Sequence, residues 1–145
     1  MKKTIETKIL IHATPEKVWN ILTNFKAYPE WNPFIKSIEG EVKQGNIIKA
    51  KIHPPDGSAM IFKPKVLVFD KNKEFRWLGH LFFAGLFDGE HIFELVDNQD
   101  GTTTFKHSEQ FGGILVSLFS KMLDKNTKNG FNLMNQKIKE LAEKA

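Results

Sequence analysis

The chain has 145 residues, 21 Lys and Arg against 17 Asp and Glu, and no cysteine. That length suits one domain spanning 1–145, which buries about two thirds of its unfolded surface. The absence of thiols excludes disulfides, thiolate zinc sites and cysteine nucleophiles, and the dispersed basic excess argues against nucleic acid as a partner.

Thirteen Phe and three Trp against a single Tyr predict an interior with large apolar area and few polar handles. The run Ile9-Leu10-Ile11 is too short for a signal peptide or a membrane span. The expectation is therefore no integral membrane segment and a cytoplasmic location.

Residues 4–12 alternate as a strand, with Ile5, Thr7, Ile9 and Ile11 on one face and Glu6, Lys8 and His12 on the other. Thr14-Pro15-Glu16 then opens a helix. Thr14 caps it, Pro15 suits its first turn, Glu16 suits the positive end of its dipole, and Val18, Ile21, Leu22 and Phe25 form its buried face. It stops near Asn24, and Tyr28–Pro33 leaves room for one further helical turn, because Pro33 disfavours helix at the residue before it.

Six strands follow at about 34–43, 47–54, 60–70, 73–82, 87–97 and 102–111. Gly-, Asn- and Pro-rich joints separate them, and short joints make neighbouring strands antiparallel. Pro64 cannot donate to a ladder, so it favours an edge or a bulge.

From Gly112 to Ala145 the apolar residues Leu115, Leu118, Phe119, Met122 and Leu123, then Leu133, Met134, Ile138 and Leu141, take helical spacing. This predicts one long amphipathic helix whose lysines, from Lys121 to Lys144, form its solvated face. Asn126 and Gly130 fall on the inward side without filling it. Either the helix bends near Gly130 or it lines a cavity. The element order predicts an α+β helix-grip fold: a curved seven-stranded antiparallel sheet wrapped around a long C-terminal helix, with two short helices after the first strand.

Three stretches could carry chemistry. Along 90–96, His91, Phe93 and Leu95 share a face opposite Glu90 and Glu94, and Phe105, His107, Glu109 and Phe111 share one on the next strand. A hairpin closed by Asn98–Gly101 puts His91 near Ser108 or Glu109, so His91, His107 and Glu109 become the candidate acid–base or ligand-orienting groups. A one-residue slip would send His107 and Glu109 to solvent instead. Two histidines and a carboxylate match the donors of a non-haem iron site, but no local motif supports one, and neither metal nor cofactor is expected.

The second stretch, Gly79–Gly89, is an apolar loop whose Phe82, Phe83, Leu86 and Phe87 either tuck under the sheet edge or form a mobile portal. The third is the aromatic set Trp31, Phe34, Phe62, Trp77, Phe93, Phe111, Phe119 and Met122. With Phe83, His91, Glu109, Asn126 and Gly130 these residues are the candidate walls of a binding pocket, although a large apolar side chain is more often plain core. There is no phosphate loop, serine-nucleophile elbow or helical metalloprotease motif.

Ala13-Thr14-Pro15-Glu16-Lys17-Val18-Trp19, Trp31-Asn32-Pro33, Gly40, Phe75-Arg76-Trp77, Gly89-Glu90-His91 and Gly101-Thr102-Thr103, followed by a closing helix, resemble the SRPBCC superfamily. This is the START-like, birch-pollen-allergen-like helix-grip group, and the likeness is to its polyketide cyclase/dehydrase-like branch. The resemblance covers nearly the whole chain. It implies a deep hydrophobic cavity between sheet and C-terminal helix, of the kind used for lipids, sterols, polyketides, hormones or aromatic compounds, and it carries over no catalytic motif.

Three functions follow as expectations. The first is binding or transport of a small hydrophobic molecule. The second is a cyclase- or dehydrase-like enzyme using His91, His107 and Glu109. The third is a protein-interaction module of the chaperone-activator kind, with a protein partner.

Overall fold

The computed structural model describes residues 2–81 and 83–144, so the expectation for Phe82 lies outside them. Strand β1 (Lys2–Ile11) buries Ile5 and Ile11 on its inward face. Helix α1 (Pro15–Leu22) starts as its sequence dictates: the Thr14 side chain accepts from the Lys17 amide at 3.3 Å, Pro15 lies in the first turn, and Val18, Trp19 and Leu22 are buried. It ends two residues before Asn24. A short 3₁₀ turn (Phe25–Ala27) and α2 (Tyr28–Trp31) follow.

The buried Tyr28 hydroxyl donates to the Leu22 carbonyl. Asn32 then turns the chain, because its Oδ1 accepts from the amides of Phe34 at 2.9 Å and Ile35 at 2.8 Å. That turn launches β2 (Ile35–Glu39) and aims Phe34 inward, where it is buried.

Among the described residues eight strands form where seven were expected. The stretch 60–70 divides into β4 (Met60–Phe62) and β5 (Lys65–Asp70) at Lys63-Pro64, whose proline carbonyl accepts from the Ile48 amide at 3.0 Å while its nitrogen has no proton to give. The expected strand 34–43 ends at Glu39, where Gly40 takes φ +104°.

Strands β2, β3 (Lys49–Ile52) and β4 pair antiparallel in that order. The other five, β1, β8 (Thr103–Gly112), β7 (Asp88–Asp97), β6 (Glu74–His80) and β5, form the larger sheet, also antiparallel. Gly45, Asn46 and Ile47 stitch the two together along Lys65 and Val66.

The C-terminal helix begins eight residues later than Gly112. Gly113 sits at φ +115°, and a Cβ there would lie 2.6 Å from the Leu86 carbonyl oxygen. The next two amides, of Ile114 and Leu115, donate to Gly85 at 3.1 Å and Leu86 at 3.0 Å. Those bonds dock the segment on the 81–87 loop in place of a first helical turn. Helix then runs as α3 (Ser120–Met122), a π turn (Leu123–Thr127) and α4 (Lys128–Glu143).

The irregularity thus falls before Gly130, not at it. Helix α4 buries Gly130, Phe131, Met134, Asn135, Ile138 and Ala142, whereas Leu118, Met122 and Leu133, expected inward, are exposed. Its end is tied back to the sheet and α1, with Lys139 Nζ donating to Leu10 at 2.9 Å and Lys17 Nζ to Lys144 at 2.8 Å. Among the described residues no helix is long and apolar enough to cross a membrane.

Candidate functional site

The β7–β8 hairpin sets the site. Its register pairs His91 with Glu109, Phe93 with His107, and Gly89 with Phe111, so the inward faces read from the alternation are the ones that form and no slip occurs. Strand β6 adds Trp77 opposite His91, with ring centroids 4.9 Å apart. His91 and His107 are completely buried.

Hydrogen bonds run through this cluster in one direction. The Thr7 hydroxyl donates to the His107 carbonyl at 2.7 Å, a group that can only accept. The Thr7 oxygen is therefore free to accept from Asn135 Nδ2 at 2.8 Å. That fixes the Asn135 amide and turns its Oδ1 to His107 Nδ1, 2.8 Å away, which must carry a proton. Beyond it, His107 Nε2 lies 2.7 Å from His91 Nε2, a gap that holds one proton and not two. Burial, reinforced by the neighbouring His91, holds His107 well below the usual imidazole range against the opposing Asn135 bond, so His107 is neutral and His91 Nε2 is the donor.

At the open end of the relay, His91 Nδ1 lies 3.3 Å from Glu109 Oε1, and the contact is too poorly aligned to count as a hydrogen bond. Glu109 is 14% exposed and faces a cavity of about 180 Å³. The cavity lies between β6–β8 on one side and the α3–π segment on the other, with β3 and β4 at its flank. Its walls are Phe34, Ile52, Pro54, Met60, Phe62, Trp77, Gly79, Leu81, Phe87, Gly89, Glu109, Phe111, Phe119, Met122, Leu123 and Thr127. Glu109 and Thr127 supply the polar side chains in that list.

Seven of the expected wall residues meet there: Phe34, Phe62, Trp77, Glu109, Phe111, Phe119 and Met122. Six stand elsewhere. Trp31 packs edge-on against Tyr28, and Phe93 is core between Phe75 and His107. Phe83 is 62% exposed on the 81–87 loop, while its neighbour Phe87 is buried as a wall. His91 packs against Trp77 with ring centroids 4.9 Å apart and is not itself a wall, although it neighbours the wall residue Glu109. Asn126 is half-buried within the π turn. Gly130 leaves no void, because Phe34 takes its space: a Cβ there would lie 2.2 Å from Phe34 Cδ1.

Several walls lie outside that expected set, above all the pair Gly79 and Gly89. They are direct cross-strand partners, and a Cβ on Gly89 would lie 2.3 Å from Glu109 Oε2, so its absence makes room for the carboxylate. Two glycines flanking one hairpin loop were the available signal. Asn135 was also missed, although Phe131, Asn135, Ile138 and Ala142 follow the helical spacing that would have placed it inward. Among the described residues no group of three or more His, Asp or Glu side chains is arranged to hold a metal ion.

The model of the family described as polyketide cyclase/dehydrase and lipid transport matches residues 2–143. The chain belongs to that family. No curated protein matches its sequence.

Among solved structures, the Zhui aromatase/cyclase from a Streptomyces species superposes with a TM-score of 0.78 at 13% identity, covering 99% of this chain and 94% of that one. Norcoclaurine synthase from Thalictrum flavum, in complex with dopamine and hydroxybenzaldehyde, gives 0.74 at 15% identity over 100% and 90%. The di-domain ARO/CYC BexL gives 0.75 at 13% identity, and there the chain spans 99% of itself but only 51% of its relative.

The helix-grip arrangement, an antiparallel sheet with a long C-terminal helix, is what the chain has in common with these neighbours. At such identities they share its fold, and the side chains at the site have to be argued on their own terms.

Proposed function

We propose that the protein binds a small hydrophobic molecule in the cavity between the sheet and the C-terminal helix, with Glu109 as its polar anchor. One observation carries this reading: an almost wholly apolar cavity of about 180 Å³ with a single carboxylate in its wall. An apolar cavity of roughly 150 Å³ holds benzene, whereas drug-sized ligands take about 300 Å³ or more. The dimensions support a single-ring aromatic or a comparably compact molecule rather than an extended polyketide or a full lipid.

Native mass spectrometry of the purified protein, followed by organic extraction, tests the proposal. Recovery of a compact apolar compound, or chemical-shift changes at Phe111 and Phe119 on adding toluene, is the expected result. A protein that carries nothing and ignores toluene overturns it.

A second reading, an enzyme of the cyclase or dehydrase kind, is supported by the contact of Glu109 with His91 at the cavity wall. Of the three candidate groups only Glu109 borders the space a substrate would fill. His91 and His107 would act through it, as positioning residues. Turnover of the extracted compound, lost in Glu109→Gln, would favour this reading, and its absence would leave binding alone.

A further inference from the structure

The direction of the hydrogen-bond relay has a consequence for the ligand, and it rests on the binding reading above. The relay begins at a backbone carbonyl, which cannot take up a proton, and each of its members is fixed in turn: Thr7 as donor to that carbonyl, Asn135 by Thr7, the His107 tautomer by Asn135, and His91 Nε2–H by His107. Only the last position stays open. His91 Nδ1 is fully buried, has no hydrogen-bond partner, and faces Glu109 Oε1 at 3.3 Å. A bare ring nitrogen and a bare carboxylate oxygen at that separation would set two lone pairs against each other away from water, whereas one proton between them makes the contact attractive.

We propose that His91 and Glu109 hold one proton between them, and that this uncharged pair anchors a neutral, single-ring-sized ligand through a hydroxyl group on the ligand. The consequence is the same whichever of the two atoms carries the proton. With the proton on His91 the pair is an imidazolium and a carboxylate; with it on Glu109 the pair is an imidazole and a carboxylic acid. In both forms Oε1 is the oxygen turned toward His91 Nδ1 and Oε2 is left as an acceptor.

Oε2 lies over Gly89, itself a cavity wall, in the space a side chain there would occupy. The cavity therefore presents an acceptor with no net charge behind it. A ligand hydroxyl satisfies that oxygen. An ammonium group finds no free counter-charge to offset its desolvation, and a carboxylate on the ligand finds a second acceptor where it needs a donor.

The test uses three probes of one size on the intact protein, toluene, phenol and benzylamine, with affinities from NMR or calorimetry at neutral pH. Phenol is expected to bind roughly tenfold tighter than toluene, and benzylamine more weakly than toluene. If toluene fails to bind, the cavity reading fails. If toluene binds but phenol gains nothing over it, or benzylamine is the tightest of the three, the cavity stands and the anchor is overturned.

A second measurement needs no ligand. Nitrogen NMR of the histidine rings is expected to show His107 protonated on Nδ1 and bare on Nε2, and His91 protonated on Nε2. The same sample is expected to show a proton on either His91 Nδ1 or the Glu109 carboxyl. A bare His91 Nδ1 together with a fully ionised Glu109 would overturn the shared proton.

Discussion

The two ends of the interface between helix and sheet are built from the same kind of residue and end up in opposite states. At the α4 end, Phe131, Met134, Ile138 and Ala142 are fully buried, and Phe75, Phe93 and Phe105 stack in succession across β6, β7 and β8 with centroids 5.6 and 6.3 Å apart. At the other end, the 112–119 segment is spent on the 81–87 loop and the helix enters through a π turn. There Phe111, Phe119, Leu123 and Met122 surround space, while Ile114 and Leu118 are exposed. Regular helix lets one face close against a sheet. Where the backbone departs from that geometry, the apolar side chains divide between core, cavity wall and surface, and a cavity survives between them.

The sharpest way to break this contrast is to truncate one residue at each end. Phe131→Ala is expected to cost about 3–5 kcal/mol, since it empties a packed site against Phe34 and His107. Met122→Ala, at a wall 38% exposed, is expected to cost about 1 kcal/mol or less. Urea unfolding of both variants gives the comparison directly. Equal losses would mean that the cavity end is packed in solution as tightly as the α4 end.

Gly130→Ala probes the boundary between the halves. The added methyl would sit 2.2 Å from the Phe34 ring, so the ring must move, at an overpacking cost of about 1–3 kcal/mol, against up to about 1 kcal/mol gained in helix propensity. A net loss of about 1–2 kcal/mol is expected, with altered toluene binding because Phe34 is also a wall. A stabilised variant would show that glycine was retained there for reasons other than that ring.

The polar relay lies between the halves and gives the packed end a pH dependence. His107 stays neutral in the fold, with His91, Asn135 and Phe131 as its neighbours, whereas an unfolded histidine takes up a proton below about pH 6.5. Between that pH and the lower folded value the unfolded state binds the extra proton. Stability is therefore full above about pH 6.5 and falls as pH drops, with a slope approaching about 1.4 kcal/mol per pH unit from this residue. Denaturant midpoints across the acid range, compared with those of His107→Asn, isolate it. An unchanged slope in the variant would assign the acid sensitivity elsewhere.

The same division governs what the sequence discloses. Strands β7 and β8 alternate cleanly and close through Asn98–Gly101, so the facing of His91, His107 and Glu109 follows from period and pleat. The capped start of α1 is equally local. The seven-strand expectation became eight because a proline nitrogen has no proton, which the sequence states, while the length of the interruption depends on the Ile48 amide donating to the Pro64 carbonyl. The expected helix from Gly112 fails for a tertiary reason: the amides of Ile114 and Leu115 have partners in the loop before β7. Gly130 pointed to a bend or a cavity because a missing side chain in the sequence does not say which neighbour fills its place, and here Phe34 does.

The smallest effect separates the two glycines of the cavity floor. A Cβ on Gly79 would meet Pro64 Cβ at 3.6 Å, an ordinary contact, so Gly79→Ala is expected to raise stability by about 0.5 kcal/mol while taking volume from the cavity and weakening toluene. Across the ladder, Gly89→Ala places its methyl 2.3 Å from Glu109 Oε2, at the flexible end of that side chain. The carboxylate must turn away from the floor. Its expected signature is loss of the preference for phenol over toluene, read from the two affinities in each variant. Retention of that preference in Gly89→Ala would place the hydroxyl acceptor elsewhere in the wall, and Thr127 is the polar side chain left to supply it.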